Sequence, residues 1–384
     1  MKKKSVFTAS AIVAGNGIGS GVMAIPYFVS KTGVTGGVVA FAAAYVTSVL
    51  LHLMIAQILL NTGETADILS SFNQYLFRGR FKNVLKVSFF LIMVVVLETN
   101  LAAYISGAAE ITAEFVPNIP GRVLGAAFYL IAAVVVLLGL RAICISEKVT
   151  VSVMGAILLA AVIFSVRNIN PSFRIGIGLG GSAGIRRFAA TFSMIMFSFS
   201  AIFAVPQVIE CLEHDAEKVR KSVFGGLLMN LVISSVVAVC AVITSKEVTE
   251  VAIVGWAEAV GGVIRILGSA FILLAMFTSY WSIGLATTEM ISSQTKKTFG
   301  LSFLLATVPA LLLMFFLPGG FMEYMKIAGG AVAIIISLMV IPTYRICTKG
   351  KDSTVMNRAE ASKITIAIVF VMYLIMAAGS MISV

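Results

Sequence analysis

From Val6 to Ser30 the chain runs VFTASAIVAGNGIGSGVMAIPYFVS without one charged residue, long enough to cross a bilayer as a helix. Yet Gly15, Gly17, Gly19 and Gly21 interrupt the run at every second position, and Pro26 follows. Each glycine lowers helix stability, and four together let the backbone leave helical geometry, which frees amide and carbonyl groups at mid-membrane depth. Lipid offers such groups no partner, so they must line a protein-enclosed cavity or hold a ligand. The competing reading is close helix packing of the small-xxx-small kind, because Gly15 and Gly19, like Gly17 and Gly21, lie four apart.

The rest of the chain repeats the apolar pattern. Of 384 residues, 59% are hydrophobic and 12% charged, whereas soluble domains carry about 25% charged residues. Mean hydropathy is +1.04. These values predict an all-α integral membrane protein built as one transmembrane domain over residues 1–384, with no soluble domain. The first segment is too long and too broken for a signal-peptide core and lacks a small-residue cleavage site, so it reads as a retained span. Hydropathy predicts eleven spans, at about 6–30, 34–60, 84–110, 122–140, 148–166, 188–210, 222–244, 260–290, 299–317, 325–344 and 363–383.

With the N-terminus inside, nineteen of the 28 Lys and Arg residues fall on inner segments. That bias predicts a multi-pass protein of the cell membrane with a cytoplasmic N-terminus and an extracellular or periplasmic C-terminus. It also explains the net charge of +11 without nucleic acid. The outer segment 167–187, with Arg167, Arg174, Arg186, Arg187 and a glycine-rich centre, is the exception and reads as a mobile or amphipathic element. Cys144, Cys211, Cys240 and Cys347 form no CxxC pair, which points away from a disulfide framework or a metal centre.

A second interruption echoes the first. Residues 20–26 read SGVMAIP and residues 200–206 read SAIFAVP. The sixth span opens a second set of five just as the first span opens the first set, and an odd number of spans per set forces the second to be inverted. The expected organisation is therefore a first repeat over about 6–166, a second over about 188–344 and an extra helix over about 363–383. Paired interruptions in two inverted halves point to a transporter binding site near the bilayer midplane.

GNGIGSGVMAIP resembles the first helix of amino-acid transporters of the amino acid/polyamine/organocation superfamily, which have the leucine-transporter (LeuT) fold. With NLAAYISGAAE in the third span, the chain looks most like the hydroxy/aromatic amino acid permeases and the wider amino acid/auxin permeases. The resemblance implies an amino-acid substrate, neutral and in these subfamilies often aromatic, taken up by ion-coupled symport. It also implies alternating access, with a bundle of spans 1, 2, 6 and 7 rocking against a scaffold of spans 3, 4, 5 and 8.

For such a substrate, amides freed around Gly19, Ser20 and Gly21 suit the carboxylate. Carbonyls freed around Ser198, Phe199 and Ser200 suit the ammonium, with the substrate side chain between spans 3, 6 and 8. Tyr104 either hydrogen-bonds the substrate or packs as an amphipathic ring between helices. Phe199 and Phe203 are candidates for the pocket wall, against a background of 26 phenylalanines, and Asn16 and Ser282 complete the candidate set.

Span 8 carries Ala275-Met276-Phe277-Thr278-Ser279, an AxxTS run that resembles the sodium-site segment of sodium-coupled relatives. The implied ligands are the Gly15, Ile18 and Ala275 carbonyls with the Thr278 and Ser279 hydroxyls. The alternative is that both hydroxyls bond back to their own helix. A second sodium site, built in some relatives with an Asn just after the glycine run, is not expected, since Val22 stands in that region. Proton coupling is the other option, and the resemblance to the hydroxy/aromatic permeases implies it, in disagreement with the AxxTS run. Some relatives use a lysine on the fifth span, but VTVSVMGAILLAAVIF offers none after Lys148. Glu98, a carboxylate in the third span, is by default functional and is the proton candidate, with a structural carboxyl as the alternative. His52 reads as a neutral histidine bonded to a carbonyl.

Other functions fit less well. A channel needs a ring of carbonyls or charges, a membrane enzyme would need clustered acids or histidines, and no GxxxxGK[ST] loop marks a primary pump. The acidic stretch Glu210, Glu213, His214, Asp215 and Glu217 reads as a solvated connection. No cofactor is expected beyond the coupling ion, Na⁺ with H⁺ as the alternative, and the expected partners are the amino-acid substrate and the bilayer.

Overall fold

The computed structural model describes residues 5–63, 67–171, 181–249, 252–317, 321, 324, 338–349 and 354–382. Among these all regular secondary structure is helical, with no strand. Helix α1 (Val6–Ile18) passes through a 3-10 turn (Ser20–Met23) into α2 (Ile25–Thr32), and the two arms of this first segment meet at 60°. There follow α3 (Val34–Thr62), α4 (Ile68–Tyr75), α5 (Lys82–Ala113), α6 (Gly121–Leu137) and α7 (Leu140–Val166). The second half holds α8 (Gly181–Ser198), α9 (Ala204–Cys211), α10 (Ala216–Thr244), α11 (Ala252–Val260), α12 (Gly262–Thr295), α13 (Phe299–Phe316), α14 (Leu338–Cys347) and α15 (Lys363–Ser380).

Seven single helices, α3, α5, α7, α10, α12, α13 and α15, are long and apolar enough to cross a membrane, and α1 with α2 makes an eighth, broken span. Helix α6 is a shorter apolar helix of 17 residues, and α8 and α9 flank a non-helical stretch at residues 199–203. Most of the expected tenth span, residues 325–337, lies outside the described set, as do residues 172–180 of the basic glycine-rich segment. Helix α8 starts at Gly181, with Arg186 and Arg187 exposed.

One boundary differs from expectation in a way that matters. Helix α7 begins not near residue 148 but at Leu140, just after Gly139 with φ 77°. Arg141, Glu147 and Lys148 depress local hydropathy, so a hydropathy window starts late. The backbone ladder is indifferent to those charges, and Ile143, Cys144 and Glu147 are buried.

The helices form two groups. Helices α1, α2, α3, α8, α9 and α10 pack on one another, while α5, α6, α7 and α12 form a second group, with α13 against α5, α6 and α12. Helix α15 packs on α8. Helix α1 lies at the junction, against α10 on one side and against α7 and α12 on the other. Large apolar side chains face outward around the molecule, among them Val95, Leu130, Ile163 and Val239. In lipid that surface meets its own kind and needs no cover.

Two further contacts hold the first group together. Arg220 on α10 makes a bidentate pair with Glu360, at 2.6 and 2.7 Å, and also donates to the Val355 carbonyl at 2.7 Å. The guanidinium holds the Glu360 carboxyl below its usual range. Glycines on α10 allow close approach to α1: a Cβ at Gly226 would sit 2.5 Å from Val13 Cβ and 2.6 Å from the Ser10 carbonyl oxygen. Because backbone cannot yield as a flexible side chain does, Gly226→Ala is expected to destabilise the detergent-solubilised protein by about 1–3 kcal/mol. A thermal midpoint equal to that of the wild type would show that α1 and α10 separate freely.

Candidate functional site

The two breaks face each other. Gly19 ends α1 with φ 35°, a left-handed value that glycine adopts without strain. A Cβ there would lie 3.4 Å from Ser279 Oγ and 3.8 Å from the Tyr104 hydroxyl. A Cβ at Gly17 would lie 2.5 Å from Asn230 Nδ2 and 3.2 Å from the Ser198 carbonyl oxygen, and one at Gly21 would lie 3.3 Å from the Phe197 ring. The glycine alternation thus serves both readings drawn from the sequence, a released backbone and a close approach.

The second break is held by two polar side chains. His52 on α3 is fully buried, with Nδ1 2.6 Å from the Ser48 carbonyl oxygen, while its Nε2 accepts from Ala201 N–H at 3.0 Å. This pattern makes it neutral, with the proton on Nδ1. Asn230 donates through Nδ2 to the Ser198 carbonyl at 2.8 Å, and Ser234 donates to Asn230 Oδ1 at 2.9 Å. The Phe199 carbonyl accepts from Ala201 N–H at 3.0 Å. Of the three carbonyls expected to meet an ammonium, Ser198 and Phe199 therefore already have protein partners, and Ser200 stands beside them in the same break. Phe199 packs in the core against Phe41, at 6.3 Å between ring centroids. Ser282 is engaged with Gln207 on α9: its hydroxyl donates to Gln207 Oε1 at 3.2 Å, and its carbonyl accepts from Gln207 Nε2 at 2.7 Å. The Ser20 side chain lies outside the described set.

The AxxTS run meets the end of α1. Thr278 Oγ1 lies 2.9 Å from the Gly15 carbonyl and 2.9 Å from the Ala275 carbonyl of its own helix. Ser279 Oγ lies 3.4 Å from the Gly15 carbonyl and 3.2 Å from the Asn16 carbonyl. One hydroxyl therefore spans both alternatives raised by the sequence, while the other reaches across to α1. Gly15, Ala275, Thr278 and Ser279 come together. The Ile18 carbonyl bonds neither hydroxyl, and Asn16 supplies the second carbonyl at this junction. Asn16 Nδ2 is a buried donor with no hydrogen-bond partner among the described residues.

Sequence reasoning passed over Glu147. It sits on α7, fully buried, and neither carboxylate oxygen has a hydrogen-bond partner among the described residues. A Cβ at Gly15 would overlap its Oε2, lie 2.9 Å from its Cδ and lie 3.0 Å from Thr278 Cβ. Its carboxylate and the Thr278 side chain converge on the same point of α1. The missed signal was helical phase: read from Leu140, the helix buries Ile143, Cys144, Glu147, Thr150 and Val151 on one stripe. Glu98 is placed differently. It is half-buried, makes no hydrogen bond or ion pair among the described residues, and lines neither cavity described next.

Two cavities approach this region from opposite faces. One, of about 550 Å³, lies on the face that carries the N-terminus, between Gly63, Asp67, Leu97, Phe203, Glu210 and Glu289. Burial raises the Asp67 carboxyl above its usual range, against opposing hydrogen bonds from Ser293 and Ser70. The other, of about 600 Å³, lies between Met23, Gly107, Glu110, Arg265, Met276 and Phe321. Along α5 they stop at Leu97 and Gly107, and along α12 at Met276 and Ala286. Each gap holds nine residues, a rise of about 15 Å from one bounding residue to the other. That septum carries Tyr104, Thr278, Ser279 and Ser282, which lie where neither cavity reaches, whereas Phe203 lines the first cavity.

Comparison with known proteins agrees with this architecture. The model of the tryptophan/tyrosine permease family matches residues 2–379. No curated protein matches the chain. Among solved structures, the chain is similar to MHP1, a nucleobase-cation-symport-1 family transporter, in a closed conformation with bromovinylhydantoin bound. The TM-score is 0.65 with 17% identity, covering 98% of this chain and 91% of that one. At that identity the likeness shows the fold, which is LeuT-like.

The second break depends on His52. Replacing it by leucine removes one of the two acceptors of the Ala201 amide in a buried setting and leaves only the short-range Phe199 carbonyl, which costs about 1 kcal/mol. His52→Leu is expected to lower the thermal midpoint of the purified protein, and an unchanged midpoint would show that Ala201 finds an equal partner elsewhere.

Proposed function

The chain belongs to the tryptophan/tyrosine permease family and is a multi-pass secondary transporter of a small molecule; from that premise we propose that it imports neutral, aromatic amino acids by sodium-coupled symport. The observation that carries the reading is the junction of α1 with α12, where carbonyls of Gly15 and Asn16 meet the hydroxyls of Thr278 and Ser279. Hard oxygen donors of this kind suit a small hard cation. In the proposed occupied state the two hydroxyls turn their lone pairs to the ion, alongside the Gly15 and Ala275 carbonyls, and the Ile18 carbonyl joins if the end of α1 adjusts.

The substrate would lie beside Gly19, Gly21 and Tyr104. There the backbone after α1 provides amides for a carboxylate, and the second break, at Ser200, provides a carbonyl for the ammonium. Bundle and scaffold meet here, so an ion bound across α1 and α12 stabilises one arrangement of the two groups and raises substrate affinity, with the reciprocal effect on the ion. The cavities on the two faces support alternating access, the septum between them opening to one side at a time. The basic bias of the loops supports a cytoplasmic N-terminus.

Two tests separate the parts of this proposal. Uptake of tryptophan or tyrosine into proteoliposomes should fall strongly when sodium is replaced by choline at fixed pH, and Thr278→Val with Ser279→Ala should remove the sodium stimulation with little change in protein level. Uptake indifferent to sodium would overturn the ion and leave the proton as the driver. Separately, Gly19→Leu puts a side chain into a left-handed position facing Ser279 and Tyr104, and should abolish substrate binding while the protein still inserts. Unchanged affinity in that variant would move the substrate site elsewhere.

A further inference from the structure

Among the described residues, Glu147 is the acidic side chain that converges on the α1–α12 junction from the scaffold side. It lies wholly inside the protein, with no cation, amide or hydroxyl bonded to either oxygen among the described residues. A buried carboxylate in that state is costly, and the cost is removed by a cation at its side. The surrounding groups offer none: Gly15 and Thr278 are its neighbours on α1 and α12, and Cys144 precedes it by one turn on α7. What faces it instead is a set of oxygens that by themselves carry no charge. A cation held only by carbonyls and hydroxyls would sit in a dry site uncompensated, and an acid alone would sit there unpaired. Each lacks what the other supplies.

We propose that the Glu147 carboxylate is the anionic ligand of the sodium site, adding α7 to the α1 and α12 oxygens and making the occupied site electrically neutral. The inference rests on the sodium reading above and extends it. The bare glycine at Gly15 leaves the space that the carboxylate takes, since a Cβ there would overlap Oε2 in its present position. It also gives sodium three helices to join, one from the bundle and two from the scaffold, so binding draws the two groups together.

The test is the sodium dependence of radiolabelled sodium binding to the purified full chain, with wild type, Glu147→Gln and Glu147→Asp in parallel. Glu147→Gln keeps the shape and removes the charge, and should weaken sodium half-saturation by about tenfold or more, as loss of a group supporting a metal site does. A Gln variant shifted by less than that, in folded and monodisperse protein, overturns the assignment. Should the Gln variant fail to fold, the Asp variant decides: shortening a ligand arm by one methylene must change sodium affinity, and unchanged affinity overturns the assignment. Wild-type protein that binds no sodium overturns the sodium reading and this ligand together. Sodium-binding wild type beside an unimpaired Gln variant overturns the ligand alone.

Discussion

Everything in this molecule turns on backbone groups set free inside an apolar body. A helix in lipid satisfies itself, and a helix that stops half way leaves amides and carbonyls that only protein or ligand can answer. The chain stops twice, after Ile18 and after Ser198, and the two stops are brought against each other. Part of the demand is met internally. His52 takes the Ala201 amide, Asn230 takes the Ser198 carbonyl, and the hydroxyls of Thr278 and Ser279 take carbonyls at the end of α1. What is left over is the backbone on which the proposed substrate site rests.

The placement of these partners divides the labour. His52 and Asn230 belong to α3 and α10, in the same group as the breaks they support, so the contacts that hold the second break lie within one group. Thr278, Ser279 and Glu147 belong to the other group, and Gln207 with Ser282 forms another link between the two. Contacts within a group fix geometry; contacts between groups are the ones a transport cycle can make and release. A cation at the inter-group contact would couple its own binding to the arrangement of both groups, the thermodynamic requirement for one gradient to drive another solute.

The apolar exterior and the polar septum answer different solvents. Outward Val, Leu and Ile side chains face lipid, while acids and hydroxyls gather in the cavities and at the breaks. The neutral tautomer of His52 shows the same economy: by donating from one ring nitrogen and accepting at the other, it satisfies a break with no net charge.

Membrane residence, helical class, the two interruptions and the AxxTS run were legible in the sequence, because each rests on local chemistry: lipid demands long apolar helices, glycine permits a break, and paired hydroxyls mark oxygen donors. Residues that act across the fold were not. Glu147 fell just before the expected start of the fifth span at 148 because hydropathy averages over a window, and only the helix starting at Leu140 turned it inward. That Asn16 rather than Ile18 meets Ser279, that Ser282 is engaged with Gln207, and that Glu98 lines neither cavity were decided by how α1, α5, α9 and α12 pack. Spacing along a chain sets which residues share a helix face. Which faces meet depends on the three-dimensional fit of helices distant in sequence, and that alone brought a carboxylate of one helix over a glycine of another.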